Sequence, residues 1–332
     1  MSPQDKDGSR GKSGLVLALS GGGAAGLAHV GVLQVLAENS IPVRAVVGSS
    51  IGAEIGAFLA SGMPMDELER LATTMDWKQT LQLFMPDLPT GGLVSGRKII
   101  DYLNKELGVH RIEDLAVGFA AVTTDLETGE QVVIDRGGLV DAVRASISIP
   151  GIIAPHRVDR RWLVDGGVVN PVPFDVARGR FGGPVLAVGA HAAVRDRARR
   201  KRPPAAGEWR TRARQLLRQP WMKRAGAMHA WLEVQLEDRP KTRTTDSPWT
   251  ARQVLDQVMA ITQAEIVRLR AGTSPPDLMI EPDVGNFGAF EFYRGREAIA
   301  AGRTAAQEKM AEIRGLLETA TDPQGTSDNP VG

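Results

Sequence analysis

Strand-sized apolar segments and helical repeats alternate along the first part of the chain. Residues Leu15–Leu19 form a continuous apolar run and 43–47 a largely apolar one, and these segments predict two buried strands. Apolar positions recur at helical spacing after each of them, which predicts helices over 27–38 and about Ile51–Ala60. A strand–helix–strand–helix order favours a parallel sheet with helices on both faces, so the predicted fold class is α/β.

The same patterns predict later elements. Residues 252–269 repeat apolar side chains at helical spacing and predict one long helix. Short apolar segments predict further strands at 118–124, Gln131–Ile134, 162–164, Val185–Val188 and Leu278–Ile280.

The ends of the strand and helix patterns define the predicted domain. Segments 1–13 and 321–332 are polar and are predicted to be disordered tails. Between them, 14–320 is predicted to be one domain. Within it, 195–250 is rich in Arg, Pro and Trp and interrupts the strand–helix rhythm, so we interpret it as a lid-like insertion.

Composition excludes several classes of chemistry and location. The chain has 332 residues and no cysteine, which excludes disulfides, thiolate zinc sites and thiol nucleophiles. The N-terminal residues lack the apolar segment of a signal peptide, and no apolar run approaches the roughly 20 residues of a membrane-spanning helix. We therefore expect a cytoplasmic protein, with at most peripheral contact at the inner face of the membrane.

The charge is unevenly distributed. The net charge is +1, but Arg195 to Arg224 contains twelve basic and two acidic residues, a local balance of +10 against −9 elsewhere. This stretch and the tryptophans of the insertion suit an anionic membrane surface, where rings lie at headgroup level and cations meet phosphate. A solvated basic loop explains the same residues. Nucleic-acid binding is disfavoured because no nucleic-acid fold motif accompanies them.

The first chemical motif is Gly48-Ser49-Ser50-Ile51-Gly52, a G-x-S-x-G sequence between a predicted strand and a predicted helix. A sharp strand-to-helix turn exposes the serine hydroxyl, and glycines two residues before and after it relieve the crowding. The positive end of the following helix favours a developing oxyanion. An exposed serine in an ordinary tight turn is the alternative interpretation.

The second motif is the glycine loop Ser20 to Gly26, directly after the first predicted strand. Side-chain-free backbone in this loop lets amides approach a substrate oxygen closely, so the loop is a candidate oxyanion hole, with Gly21, Gly22, Gly23 and Ala24 as its candidate donors. The same loop also matches the dinucleotide-binding fingerprint G-x-G-x-x-G. That interpretation requires an acidic residue at the end of the second strand, where the chain instead has the serine turn.

The third motif is Asp165-Gly166-Gly167, which follows a predicted strand. A carboxylate on such an open turn is a candidate general base for a serine hydroxyl. The alternative is a structural Asx-turn at the end of a strand.

In this order, the three motifs resemble those of the patatin-like phospholipase family. The residues that carry the resemblance are SGGGAAGLAHVGVL, VVGSSIGAEIGA, VRASISIPGIIAPHRV and RWLVDGGVVNPVP. The resemblance covers roughly 14–190 and is greatest to compact bacterial members. It implies a three-layer α/β/α fold with a mostly parallel central sheet.

The resemblance also implies a reaction. A Ser–Asp dyad of Ser50 and Asp165 would hydrolyse lipid acyl esters as a phospholipase A, lysophospholipase or esterase, in the carboxylic ester hydrolase class that serves lipid metabolism or degradation. No metal or organic cofactor is implied, and the oligomeric state is left open. His29 and His156 are candidates to lie near the site, but structural roles are favoured for both. A signalling or scaffold protein with little catalysis is the alternative on the same fold.

Overall fold

The structure is a computed structural model that describes residues 14–74, 94, 96–108, 110–190, 217–218, 251–285 and 287–321. The predicted tails therefore lie outside the described residues, apart from Thr321, as does nearly all of the predicted insertion at 195–250. The predicted domain boundaries and the membrane contact through 195–224 stay predictions.

Eight strands of the described chain form one sheet. They are β1 Leu15–Leu19, β2 Val43–Ser49, β3 Gly118–Asp125, β4 Gln131–Ile134, β5 His156–Val158, β6 Arg161–Asp165, β7 Val185–Val188 and β8 Leu278–Ile280. Their order is β5-β6-β3-β2-β1-β7-β8, and β4 also pairs with β3. Strands β3, β2, β1, β7 and β8 run parallel, whereas β4 and β6 pair antiparallel with β3, and β5 antiparallel with β6.

The helices connect these strands. They are α1 Ala28–Glu38, α2 Ile51–Ala60, α3 Met65–Thr74, α4 Arg97–Leu107, α5 Leu139–Ser146, α6 Phe174–Phe181, α7 Ala251–Thr273, α8 Gly295–Glu308 and α9 Met310–Thr321. Short 3-10 helices lie at Gly23–Leu27, Ile112–Asp114, Gly166–Val168 and Phe292–Arg294. No helix within the described ranges has the length and apolar character needed to cross a bilayer.

The sheet is the middle of three layers. Along β1, Leu15, Leu17 and Leu19 belong to one buried cluster, while Val16 and Ala18 belong to another. Because successive strand residues point to opposite faces, the two clusters lie on opposite faces of the sheet. Helices α1, α2, α5 and α8 contribute to the first cluster and α6 and α7 to the second. The predicted α/β/α fold is confirmed.

Strand β3 brings two distant parts of the chain together. It pairs with β4 over Ala121 to Thr124, a stretch that overlaps its pairing with both β2 and β6. A strand has only two edges, so β2 and β6 share the edge opposite β4 and lie end to end. Ser49 of β2 lies opposite Val122, and Asp165 of β6 lies opposite the next residue, Thr123. The last residues of β2 and β6 therefore meet at one point of the sheet.

Candidate active site

Ser50 lies in a strained turn between β2 and α2. Its backbone has φ 55 and ψ −127, a region that residues with a side chain rarely adopt. Such a conformation costs about 1–3 kcal/mol and persists only where its surroundings enforce it. A side chain at Gly48 would overlap the backbone of Gly52, and one at Gly52 would overlap the Leu19 carbonyl. Both glycines of the motif are therefore required for the turn to pack against the sheet.

The hydroxyl of Ser50 donates a hydrogen bond to Asp165. The distance from Ser50 Oγ to Asp165 Oδ2 is 2.5 Å, although the residues are 115 positions apart in the sequence. Both are buried, each 7% exposed. The other carboxylate oxygen, Oδ1, accepts the Gly167 amide at 2.7 Å. Asp165 thus forms the Asx-turn and also contacts the serine, so the turn leaves the general-base interpretation open.

The protonation of Asp165 suits a base. Burial raises the pKa of its carboxyl to about 6, and the hydrogen bonds from Ser50 and Gly167 limit that rise. The group is mostly ionised at neutral pH, yet it is a much stronger proton acceptor than an exposed aspartate. A pKa close to the working pH is what general-base catalysis favours.

Further residues, given no role from the sequence, hold the pair in place. Ser146 Oγ accepts the Ser50 amide at 2.9 Å and donates to the Val122 carbonyl at 2.7 Å. Thr124 Oγ1 donates to the Asp165 carbonyl at 2.9 Å. The sequence signal for Ser146 was its place in the stretch VRASISIPGIIAPHRV, which carries the resemblance but shows no spacing typical of a site.

The glycine loop lies beside Ser50, and its amides fall into two groups. The Gly21 amide donates to the Pro171 carbonyl at 3.0 Å, and the Ala24 amide donates to the Ala289 carbonyl at 2.9 Å. Within the described chain, the amides of Gly22 and Gly23 donate to no protein acceptor. Gly22 has φ 139 and Gly23 φ 59, values that turn the backbone in a way that favours glycine. Two of the four predicted donors are therefore available to a ligand.

The dinucleotide-binding interpretation of this loop does not fit the second strand. An acidic residue is required at the end of that strand to bind a ribose. Strand β2 ends at Ser49, whose side chain is buried, and Ser50 follows it directly in the turn.

An apolar pocket opens from Ser50. Its polar side chains are those of Ser50, Glu54 and Tyr102, and Gly23 also borders it. The other lining residues are Leu27, Val30, Ile51, Ile55, Phe58, Leu68, Leu71, Ala72, Ile99, Ile147, Ile149, Ile153 and Phe292. Pockets of this kind accept hydrocarbon chains because burial of each CH₂ is favourable by about 0.8 kcal/mol.

The two candidate histidines contact other groups. His29 is buried, and its Nε2 donates to the Ser20 carbonyl at 2.9 Å, next to the glycine loop. His156 Nε2 donates to Asp141 Oδ1 at 2.9 Å. Among the described residues, no group of three or more His, Asp or Glu side chains is placed to hold a metal ion.

Replacing His156 with alanine is expected to change kcat for ester hydrolysis by less than about tenfold, or about 1.4 kcal/mol. The reason is that His156 is hydrogen-bonded to Asp141 and the serine proton already has Asp165 as its acceptor. Steady-state kinetics on a chromogenic ester measure the effect. A loss as deep as that of a Ser50 variant would replace the dyad with a triad.

A family model and related sequences indicate the same protein family for this chain. A model of the family described as Patatin-like phospholipase matches residues 17–178. An uncharacterized NTE family protein of Mycobacterium tuberculosis is 33% identical over 328 residues, covering 89% of this chain and 91% of that protein. Patatin-like phospholipase domain-containing protein 7 of Rattus norvegicus is 34% identical over 181 residues, covering 52% of this chain and 13% of that protein.

A solved structure has the same fold. The crystal structure of VipD from Legionella pneumophila aligns with a TM-score of 0.51 at 16% identity. The alignment covers 93% of this chain and 67% of that one.

Proposed function

The chain belongs to the patatin-like phospholipase family, and we propose that it hydrolyses lipid acyl esters with Ser50 as nucleophile and Asp165 as general base. The observation that carries the proposal is the 2.5 Å hydrogen bond from Ser50 Oγ to Asp165 Oδ2. A nucleophile hydrogen-bonded to a base that is itself oriented, here by the Gly167 amide, is the arrangement that activates a hydroxyl.

The proposed reaction has two steps. In the first, Ser50 Oγ bonds to the acyl carbonyl carbon and passes its proton to Asp165. The carbon–oxygen bond to the alcohol breaks, and the leaving alcohol takes that proton. In the second, Asp165 removes a proton from water, the resulting hydroxide attacks the acyl-serine, and Ser50 regains a proton as the carboxylic acid leaves. Asp165 ends each step ionised.

The proposed oxyanion donors are the amides of Gly22 and Gly23. The amides of Gly21 and Ala24 already donate hydrogen bonds to backbone carbonyls. Of the four predicted donors, we therefore propose only Gly22 and Gly23. Gly23 borders the same pocket as Ser50, which supports its placement near the substrate carbonyl. Fixed amide donors stabilise the tetrahedral intermediate without reorganising during the reaction.

The apolar pocket supports an acyl chain as the group it accepts. A panel of p-nitrophenyl esters from acetate to decanoate, beside micellar and vesicular phospholipids, tests this substrate class. We expect kcat/KM to increase roughly tenfold or more from acetate to octanoate, because each added CH₂ is buried. A best rate with acetate, or no ester hydrolysis by folded protein, would contradict the proposal.

The pH dependence of the reaction is expected to follow Asp165. Its pKa is raised to about 6, so kcat/KM should increase with pH, pass a midpoint near 6 and level off above about 7. Below the midpoint the carboxyl is protonated and cannot accept the serine proton.

A second carboxyl in the pocket, that of Glu54, also titrates in this pH range, so a variant of it is the control. Burial raises the pKa of Glu54, in the same pocket, to about 7. The profile should therefore also be measured in Glu54→Gln, where the midpoint near 6 is expected to remain. A midpoint near 4 in both proteins would mean that Asp165 is not the titrating base.

A further inference from the structure

Two polar side chains lie in the pocket without a part in the proposed reaction. Glu54 lies on α2 and Tyr102 on α4, and the remaining wall is apolar apart from Ser50 and the edge at Gly23. Glu54 lies one helical turn after Ser50, because its amide donates to the Ser50 carbonyl at 3.2 Å, and both residues line the pocket. A carboxyl is thus placed beside the first part of any acyl chain bound at Ser50.

Neither group is satisfied by the described protein. No hydrogen bond to a described residue acts on the Glu54 carboxyl or the Tyr102 hydroxyl, while Ile51, Ile55 and Phe58 line the same wall. Leaving a polar group in apolar surroundings without a partner is unfavourable. Both side chains are half-buried, so their polar ends remain available to bind another group in the pocket.

The two groups are close enough to influence each other. The pKa of the Tyr102 hydroxyl is raised by burial and, in second place, by the negative charge of Glu54. Burial alone raises the pKa of Glu54, because no basic side chain of the described residues pairs with it. Glu54 is therefore partly neutral near pH 7, and a neutral carboxyl both donates and accepts a hydrogen bond.

We propose that Glu54 and Tyr102 form a polar subsite that recognises a hydroxyl group on the acyl chain, in the half of the chain nearer the ester. A hydroxyl both donates and accepts, as the two side chains do, and it carries no charge that the apolar wall would have to desolvate. The inference rests on the proposed function, since it assumes that an acyl chain lies in this pocket.

The experiment compares p-nitrophenyl decanoate with its 3-hydroxy and 10-hydroxy derivatives. The wild type is expected to favour the 3-hydroxy ester over the plain ester by about tenfold or more in kcat/KM, because a buried site built for a hydroxyl rejects the analogue without one. The terminal hydroxyl should give no such advantage. Each rate is divided by the rate of alkaline hydrolysis of the same ester, which removes differences in intrinsic reactivity.

Variants assign the preference to the subsite. In Glu54→Leu the preference for the 3-hydroxy ester should fall at least about tenfold, because the Leu side chain cannot bind the hydroxyl. Glu54→Gln keeps a donor and an acceptor and should retain most of the preference, while Tyr102→Phe should lose part of it. Phe58→Leu changes the shape of the same wall without changing its polarity and should leave the ratio within about threefold.

The outcomes separate this inference from the proposed function. Equal kcat/KM for the plain and 3-hydroxy esters in the wild type overturns the subsite, although hydrolysis of both still supports the proposed function. Equal losses of both activities in Glu54→Leu also overturn it. If folded wild-type protein hydrolyses no ester, the proposed function fails and the subsite fails with it.

Discussion

Replacing Ser50 with alanine is expected to reduce kcat for ester hydrolysis by roughly 10⁴-fold or more, the scale of effect seen when a nucleophile is removed. Alanine keeps Cβ, so the strained backbone and the amide donated to Ser146 are retained. Only the hydroxyl that contacts Asp165 is lost. The measurement is steady-state release of p-nitrophenol from a medium-chain ester.

The neighbouring serine is the matched control. Ser49 Oγ is buried and makes no hydrogen bond within the described residues. Its replacement by alanine removes an unpaired hydroxyl, so activity within about threefold of wild type and no loss of stability are expected. A Ser50→Ala protein that keeps more than about a hundredth of its activity, or a Ser49→Ala protein that loses as much, would place the nucleophile elsewhere.

Replacing Asp165 with asparagine is expected to reduce kcat by roughly 10²–10⁴-fold, the range contributed by a general base. The amide has almost the same shape as the carboxyl but cannot take the serine proton. The increase in rate with a midpoint near pH 6 should disappear as well, because the group that titrates there is gone. Both effects are measured in one series of kcat/KM values from pH 4.5 to 9.

A stability measurement shows whether the loss of kcat in Asp165→Asn comes from the missing base or from unfolding. The pKa of the Asp165 carboxyl is raised in the folded protein, which means that its ionised form is disfavoured there and lowers stability at pH 7. The asparagine variant should therefore have a Tm no lower than wild type. Asp141→Asn is the matched control, since Asp141 contacts His156 rather than Ser50, and it should remain within about threefold of wild-type activity. An Asp165→Asn protein with more than a tenth of wild-type kcat at every pH would exclude it as the base.

Much of the fold could be predicted because its signals are local. The apolar run Leu15–Leu19 is a strand with the predicted bounds, and so are Gln131–Ile134 and Val185–Val188. Helix α2 also has its predicted bounds, since a glycine-flanked turn precedes it. The helix predicted over 27–38 begins one residue later, at Ala28, because Gly23–Leu27 form a 3-10 helix where the sequence predicted a glycine-rich turn.

Some helices were overlooked although their pattern was present. Helix α4 buries Ile99, Leu103 and Leu107, which recur every four residues, and α3 buries Leu68 and Ala72 at the same spacing. Both helices contain more polar than apolar residues, so their few apolar positions did not stand out as a helical repeat.

The geometry of the site depended on long-range contacts that no local pattern encodes. The motifs identified Ser50 and Asp165 separately, but their contact arises because β2 and β6 pair end to end along β3. The same is true of Ser146, which reaches Ser50 only through the packing of α5 against the sheet. Which glycine-loop amides are free depended on carbonyls at Pro171 and Ala289, far along the chain.

Covalent labelling with an alkyl fluorophosphonate, followed by mass mapping of the modified peptide, tests most directly whether Ser50 is the nucleophile. We expect one adduct per folded chain on Ser50, formed in wild type and in Ser49→Ala but absent in Ser50→Ala. Labelling should slow in Asp165→Asn, because the serine loses its base. An adduct on a different residue, or no adduct on folded wild-type protein, would contradict the assignment of Ser50 as the nucleophile.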